Sequence, residues 1–147
     1  MCVQIDVGYN DINQAASLEL IAAMKGKSMV SIGMASCKLG VKGAKAMAEL
    51  VSVTASVTKI LVGRNNLRDE GTIILCDALR ESTVSKVEEL SLYNNDIGPD
   101  GAKAIAALCA VCASITSLSL GDNDLCAEGE AVVRKAVEGR SGFELKL

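Results

Sequence analysis

Glu89-Leu90-Ser91-Leu92-Tyr93-Asn94-Asn95-Asp96-Ile97-Gly98-Pro99-Asp100-Gly101-Ala102-Lys103-Ala104-Ile105-Ala106 changes its hydrophobic period halfway along. Leu90 and Leu92 flank a polar residue, as in a short half-buried strand. Pro99 and Asp100 suit a helix entrance, and Ala102, Ile105, Ala106 and Cys109 then follow at helical spacing. The same order returns along the chain as apolar-x-apolar, Asn or Cys three residues on, then another apolar residue. It reads Ile5, Val7, Asn10, Ile12; Ile32, Met34, Cys37, Leu39; Ile60, Val62, Asn65, Leu67; Leu90, Leu92, Asn95, Ile97; and Leu118, Leu120, Asn123, Leu125. The starts are separated by 27, 28, 30 and 28 residues, and a sixth copy begins at Leu145 and Leu147. A fixed period of this length marks a solenoid. One strand-turn-helix unit cannot bury both its faces, so the pattern predicts stacked units with a parallel sheet on one side and helices on the other.

The columns of the repeat carry structural expectations. Asn10, Asn65, Asn95 and Asn123 are expected to point inward and form a ladder with backbone groups freed by the turn, because an unpaired buried amide costs about 1–3 kcal/mol. Cys37 takes that place in the second unit as a small, weak hydrogen bonder. One helical column reads Leu20, Met47, Leu75, Ile105 and Val133, and a second reads Met24, Val51, Leu79, Cys109 and Val137. A small-residue column of Gly43, Gly71, Gly101 and Gly129, with Ala16 in the first unit, is expected where neighbouring coils approach closely.

These repeats resemble leucine-rich repeats of the ribonuclease-inhibitor type, most clearly in the alternating pattern with Asn or Cys followed by Ile97-Gly98 and Gly101-Ala102-Lys103-Ala104-Ile105-Ala106. Similar repeats occur in NOD-like receptors, the Ran GTPase activator and subunits of motile cilia. The resemblance covers essentially the whole chain. It implies an α/β leucine-rich repeat solenoid, a horseshoe segment with the sheet concave and the helices convex. The expected organisation is one domain over residues 1–147, with strands starting near 5, 32, 60, 90, 118 and 145. For function the resemblance is unspecific, because unrelated roles share the fold.

Bulk composition narrows the function classes. Half of the 147 residues are apolar, and only Tyr9, Tyr93 and Phe143 are aromatic, so aliphatic residues must fill the core. A net charge of -3 and a pI near 5.0 argue against nucleic acid, which needs clustered Lys and Arg. The start of the chain lacks a secretory signal pattern, and no segment reaches the ~20 apolar residues of a membrane span, so no membrane insertion is expected. Six cysteines (2, 37, 76, 109, 112, 126) without such a signal read as reduced thiols in the cytoplasm or another reducing compartment.

Catalytic and metal readings find little support. The chain has no His, which removes Ser-His-Asp and Cys-His machinery and most zinc arrangements. Cys109-x-x-Cys112 stands alone with Cys76 as its one nearby companion, and helix packing explains it. Gly40-x-x-Gly43 and Gly98-x-x-Gly101 lack the Gly-Lys-Ser/Thr ending of a phosphate loop, and Asp122-Asn123-Asp124 lacks the remaining ligands of a calcium loop. No cofactor and no metal is therefore expected.

The open face of the sheet is the expected binding surface. Most of its side chains are small, and the anchors expected there are Tyr93, Arg64, Leu61 and Tyr9, with Lys59 and Glu89 as rim charges. The last strand, Phe143 to Leu147, presents an edge that invites end-to-end docking, with Lys146 partly guarding it. These features predict a non-enzymatic protein-interaction module, a scaffold or accessory subunit of a larger assembly with protein partners. The alternative is a regulator of an enzyme, an inhibitor or a GTPase activator supplying Arg64 from a loop.

Overall fold

The computed structural model describes residues 3–147, so Cys2 lies outside the described residues. Eleven elements alternate strictly: β1 (Val3–Asp6), α1 (Gln14–Met24), β2 (Met29–Gly33), α2 (Gly40–Val53), β3 (Lys59–Leu61), α3 (Arg68–Glu81), β4 (Glu89–Ser91), α4 (Pro99–Val111), β5 (Ser117–Ser119), α5 (Cys126–Val137) and β6 (Glu144–Lys146). The strands form one sheet in the order β1-β2-β3-β4-β5-β6, every neighbouring pair parallel. Each strand begins one to three residues before the first apolar position of its repeat.

Register puts equivalent residues side by side. Ile5, Ile32, Ile60, Leu90, Leu118 and Leu145 form one row. Its four middle members are sealed against the helices, whereas Ile5 and Leu145 are half-buried because the first and last described coils have a neighbour on one side only. Behind them Met34, Val62, Leu92 and Leu120 close the strand exits, and Leu39, Leu67, Ile97 and Leu125 close the turns. Burying a full side chain of this size stabilises by about 1.5–3 kcal/mol, so the stacked rows hold the fold together.

The helical columns need one correction. In units two to five, Gly43, Gly71, Gly101 and Gly129 are followed four residues on by buried Met47, Leu75, Ile105 and Val133. In the first unit the corresponding pair is Ser17 and Ile21, both fully buried, and not exposed Ala16 and half-buried Leu20. The first turn is one residue longer: Ile5 to Ser17 is 12 positions, where Ile32 to Gly43 and its equivalents are 11. Asn13 takes up the extra residue as an N-cap, its side chain accepting from Ala16 N at 2.9 Å. Ser17 Oγ then donates to Cys37 O at 2.7 Å, so its hydroxyl is satisfied in a slot otherwise kept for glycine.

Thr72 is the contrasting case. It is fully buried in α3 and its Oγ1 has no hydrogen-bond partner. Valine has nearly the same shape without the hydroxyl, so Thr72→Val is expected to raise stability by about 1 kcal/mol. A urea midpoint that falls in the variant would show that this hydroxyl has a partner in solution.

Candidate functional site

Where the chain leaves each strand it makes an irregular turn whose backbone groups need partners. Asn95 shows how they are supplied. Its Oδ1 accepts from Asn65 N at 2.9 Å and Leu67 N at 3.3 Å, in the preceding unit. Its Nδ2 donates to Val62 O and Leu92 O, both at 3.0 Å, and to Tyr93 O at 3.3 Å. Asn65 serves Cys37 N and Leu39 N in the same way, and Asn123 serves Asn95 N and Ile97 N. Asn65 and Asn95 are buried and Asn123 is half-buried. Asn10 departs from the inward expectation: it is exposed, and its Nδ2 donates only to Val7 O and Gly8 O. Cys37 Sγ is placed to donate weakly to Ala35 O and Val7 O, but it offers Asn10 no amide oxygen in return.

Residues flanking the ladder positions, whether Asn or Cys37, lie in the left-handed region. Tyr9, Ser36, Arg64, Asn94 and Asp122 precede the ladder position, and Asp11, Lys38, Asn66 and Asp96 follow it, all with φ between 50° and 60°. Non-glycine residues adopt that conformation at a cost of roughly 1–2 kcal/mol each. The backbone bonds offset this, as where Arg64 N donates to Tyr93 O at 2.9 Å. Side chains at these positions therefore leave a fixed backbone along one rim of the sheet.

On the concave face, Gln4, Ser31, Lys59, Glu89, Ser117 and Glu144 share one row, and Asp6, Gly33, Leu61, Ser91, Ser119 and Lys146 share the next. Lys59 and Glu89 are bound to each other, Nζ to Oε2 at 2.7 Å, so they are not two independent rim charges. The carboxylate raises the Lys59 pKa, keeping the ammonium charged. Both groups remain open to water, and such a pair contributes little to stability. Leu61 is half-buried in the middle of the face.

The tyrosines come together although 84 residues separate them. Tyr93 lies across Gly63, where an added Cβ would sit 2.1 Å from its ring, so only glycine leaves room there. The ring reaches over the sheet until its hydroxyl meets that of Tyr9, which is 64% exposed. The Tyr9 hydroxyl and partial burial raise the Tyr93 pKa, while Arg64 pulls it the other way. Tyr9, Arg64 and Tyr93 thus make one patch of polar-tipped aromatic and cationic surface. Lys59, Glu89 and Leu61 lie lower on the same face.

Two further devices were not foreseen from the sequence. Asp69 Oδ1 in α3 accepts from Gly98 N at 2.7 Å and Gly101 N at 2.9 Å, capping α4 from the neighbouring unit. Arg140 reaches back to the end of α4, donating to Cys109 O at 2.9 Å, Ala113 O at 3.1 Å and also to Ile115 O. Its guanidinium stacks 4.8 Å from the Phe143 ring centroid. Single-unit patterns hide both contacts because each joins different repeats.

The described cysteines are free, and Cys37, Cys76 and Cys109 are buried. Burial raises the Cys76 thiol pKa strongly and pushes Cys109 up to about 11, the latter against the pull of Arg140. A thiol that stays protonated when folded but ionises near pH 9 when unfolded favours the unfolded state as pH rises. Stability is therefore expected to be flat in this respect below pH 9 and to fall toward pH 11, by up to about 1.4 kcal/mol per pH unit for each such thiol. Urea titrations across that range should show a shallower fall in Cys109→Ala. Among the described residues, no group of three His, Cys, Asp or Glu is arranged to hold a metal ion. No described helix is long and apolar enough to cross a membrane.

Comparison with known proteins agrees with this geometry. A family model described as Leucine Rich repeat matches residues 85–106. The chain is 40% identical over 73 residues to RAN GTPase-activating protein 2 of Arabidopsis thaliana, covering 50% of this chain and 13% of that protein. It is 29% identical over 126 residues to NACHT, LRR and PYD domains-containing protein 14 of Mus musculus, covering 86% of this chain and 12% of that protein. The chain thus spans only 12–13% of the length of these two relatives. Among solved structures, Leiomodin-1 Actin-Binding Site 2 superposes with a TM-score of 0.77 at 18% identity, covering 91% of this chain and 78% of that one, a likeness of fold. Repeat spacing, the amide ladder and these matches converge on a leucine-rich repeat solenoid, similar to those of the ribonuclease-inhibitor-like type.

Proposed function

We propose that this chain is a non-catalytic protein-interaction module, a scaffold or accessory subunit that takes its partner on the concave face. The observation that carries this reading is the convergence of Tyr9, Arg64 and Tyr93 into one patch on a rigid sheet. Tyr and Arg are among the residues that dominate binding energy at interfaces, and a preformed backbone lowers the entropy lost on binding. Leu61 supplies apolar area below the patch. The outer edge of β6, with Lys146 beside it, is a second attachment point for end-to-end docking. The whole chain acts as one binding unit in this reading. Its described thiols, all free, suit the cytoplasm or another reducing compartment.

The test is the native size of the protein in an extract of its source cells, with and without Tyr9→Ala and Tyr93→Ala together. The wild type is expected well above its own 15.3 kDa, and the double variant close to it. A wild type that runs at its own mass, or a double variant that stays in the larger complex, overturns the assignment of the concave patch.

A second reading, regulation of a GTPase, draws on two observations. One is the similarity to RAN GTPase-activating protein 2, and the other is an exposed Arg64 on a fixed rim. A supplied arginine can accelerate nucleotide hydrolysis by 10³–10⁵-fold, about the range expected here for a true activator. Hydrolysis by small GTPases should then rise with wild type and not with Arg64→Asn. Equal rates with both proteins, or with neither, remove this reading.

A further inference from the structure

A notch beside the tyrosine pair gives the concave rim a chemical preference. It has a volume of about 320 Å3 and is lined by Gln14, Lys38, Gly40, Arg64, Asn65 and Asn66. Both charged residues in its wall are cationic. Lys38 Nζ pairs with Asp11 at 2.8 Å, but both side chains are largely open to water, so Asp11 is a weak competitor. Arg64 is exposed and pairs with no carboxylate among the described residues. Asp6, the carboxylate on the concave row of the same end, accepts from Gly8 N at 3.0 Å.

The two cations are also fixed from below. Lys38 and Arg64 occupy left-handed positions beside ladder residues, with φ of 53° and 55°. Their backbones therefore contribute little to the entropy of binding. Farther along the rim the sign reverses: Asp96, Asp122 and Asp124 are exposed on units four and five. Among the residues flanking the ladder, the charged ones on units two and three are cationic and those on units four and five are anionic, in a chain whose net charge is -3.

We propose that the notch takes a carboxylate side chain of an acidic peptide segment of a partner protein. The segment lies along the concave face against Tyr9 and Tyr93. Arg64 offers a planar fork of N–H donors that matches a carboxylate, and Lys38 adds a second charge from across the notch. This assignment rests on the reading of the concave face as the interaction surface.

The probes are two peptides, hexaglutamate and hexalysine, titrated into the whole chain and followed by backbone amide resonances at low salt. Overall charge alone favours hexalysine, because the protein is acidic. The notch favours hexaglutamate locally, with shifts at Lys38, Arg64, Asn66 and Tyr93. Arg64→Asn keeps a residue type that the same turn position already holds at Asn94, so the fold is retained. It should weaken hexaglutamate about tenfold, the loss expected for one charge-assisted hydrogen bond. Raising the salt should weaken it further. Hexalysine shifting the same resonances, no response to hexaglutamate, or an unchanged affinity in Arg64→Asn overturns the proposal. A protein that keeps its larger complex in cell extract while ignoring hexaglutamate loses the acidic assignment alone. One that runs at its own mass loses the interaction reading as well.

Discussion

Asn95→Ala is expected to lower stability by about 3–5 kcal/mol, a large share of the roughly 5–15 kcal/mol that holds a typical domain folded. Its side chain is fully buried and makes five hydrogen bonds, three to the preceding unit and two within its own. Alanine leaves the N–H groups of Asn65 and Leu67 without acceptors and removes donors from Val62 O and Leu92 O, in a place water cannot easily enter. Asn10→Ala is the control. That residue is exposed and loses only two donations to carbonyls of its own unit, so the expected change is about 1 kcal/mol or less. Tyr93→Ala belongs in the same set, because its role is assigned to binding, and its stability should change by about 1 kcal/mol or less. Urea unfolding of the three variants tests the ladder directly. If Asn95→Ala and Asn10→Ala lose the same stability, the amides do not join the units as described.

Gly101→Ala should destabilise the chain by about 1–3 kcal/mol, against the sign that helix propensity gives. Gly101 lies inside α4, where alanine would ordinarily gain roughly 0.5–1 kcal/mol over glycine. A Cβ there would sit 2.5 Å from Ile97 Cγ2 and 2.7 Å from Asp69 Oδ1. The first contact overpacks a sealed core residue. The second pushes away the carboxylate that caps α4 through Gly98 N and Gly101 N. Gly129→Ala should be milder, because its nearest contact would be Ala102 Cβ at 3.0 Å. A higher urea midpoint for Gly101→Ala would mean that propensity outweighs packing and that the Asp69 cap contributes little.

The fold was legible because every unit repeats one solution. The strand rows, the sealed column of Met47, Leu75, Ile105 and Val133 and the Pro99 helix entrance can all be read from one period of sequence. The first helix was misplaced by one residue because the pattern was extended into a longer turn, where the Asn13 cap absorbs the difference. The concave side chains could be assigned from strand alternation alone. That assignment could not reveal which of them meet. The Tyr9–Tyr93 contact depends on Tyr93 lying flat over Gly63 and reaching across intervening strands. Lys59 and Glu89 pair because register puts them on adjacent strands, a relation that spacing along the chain does not display. Asp69 and Arg140 act across repeats, so neither has a signature within its own unit.

Partners are proposed to bind at the concave patch. The most direct measurement places a photoreactive phenylalanine analogue at Tyr93 in one chain and at Val111, exposed on the helical side, in another. Each is irradiated in an extract of the source cells. A protein adduct from position 93 that Arg64→Asn removes, with none from position 111, is the predicted result. An adduct from position 111 alone would put the partner on the helices and contradict it.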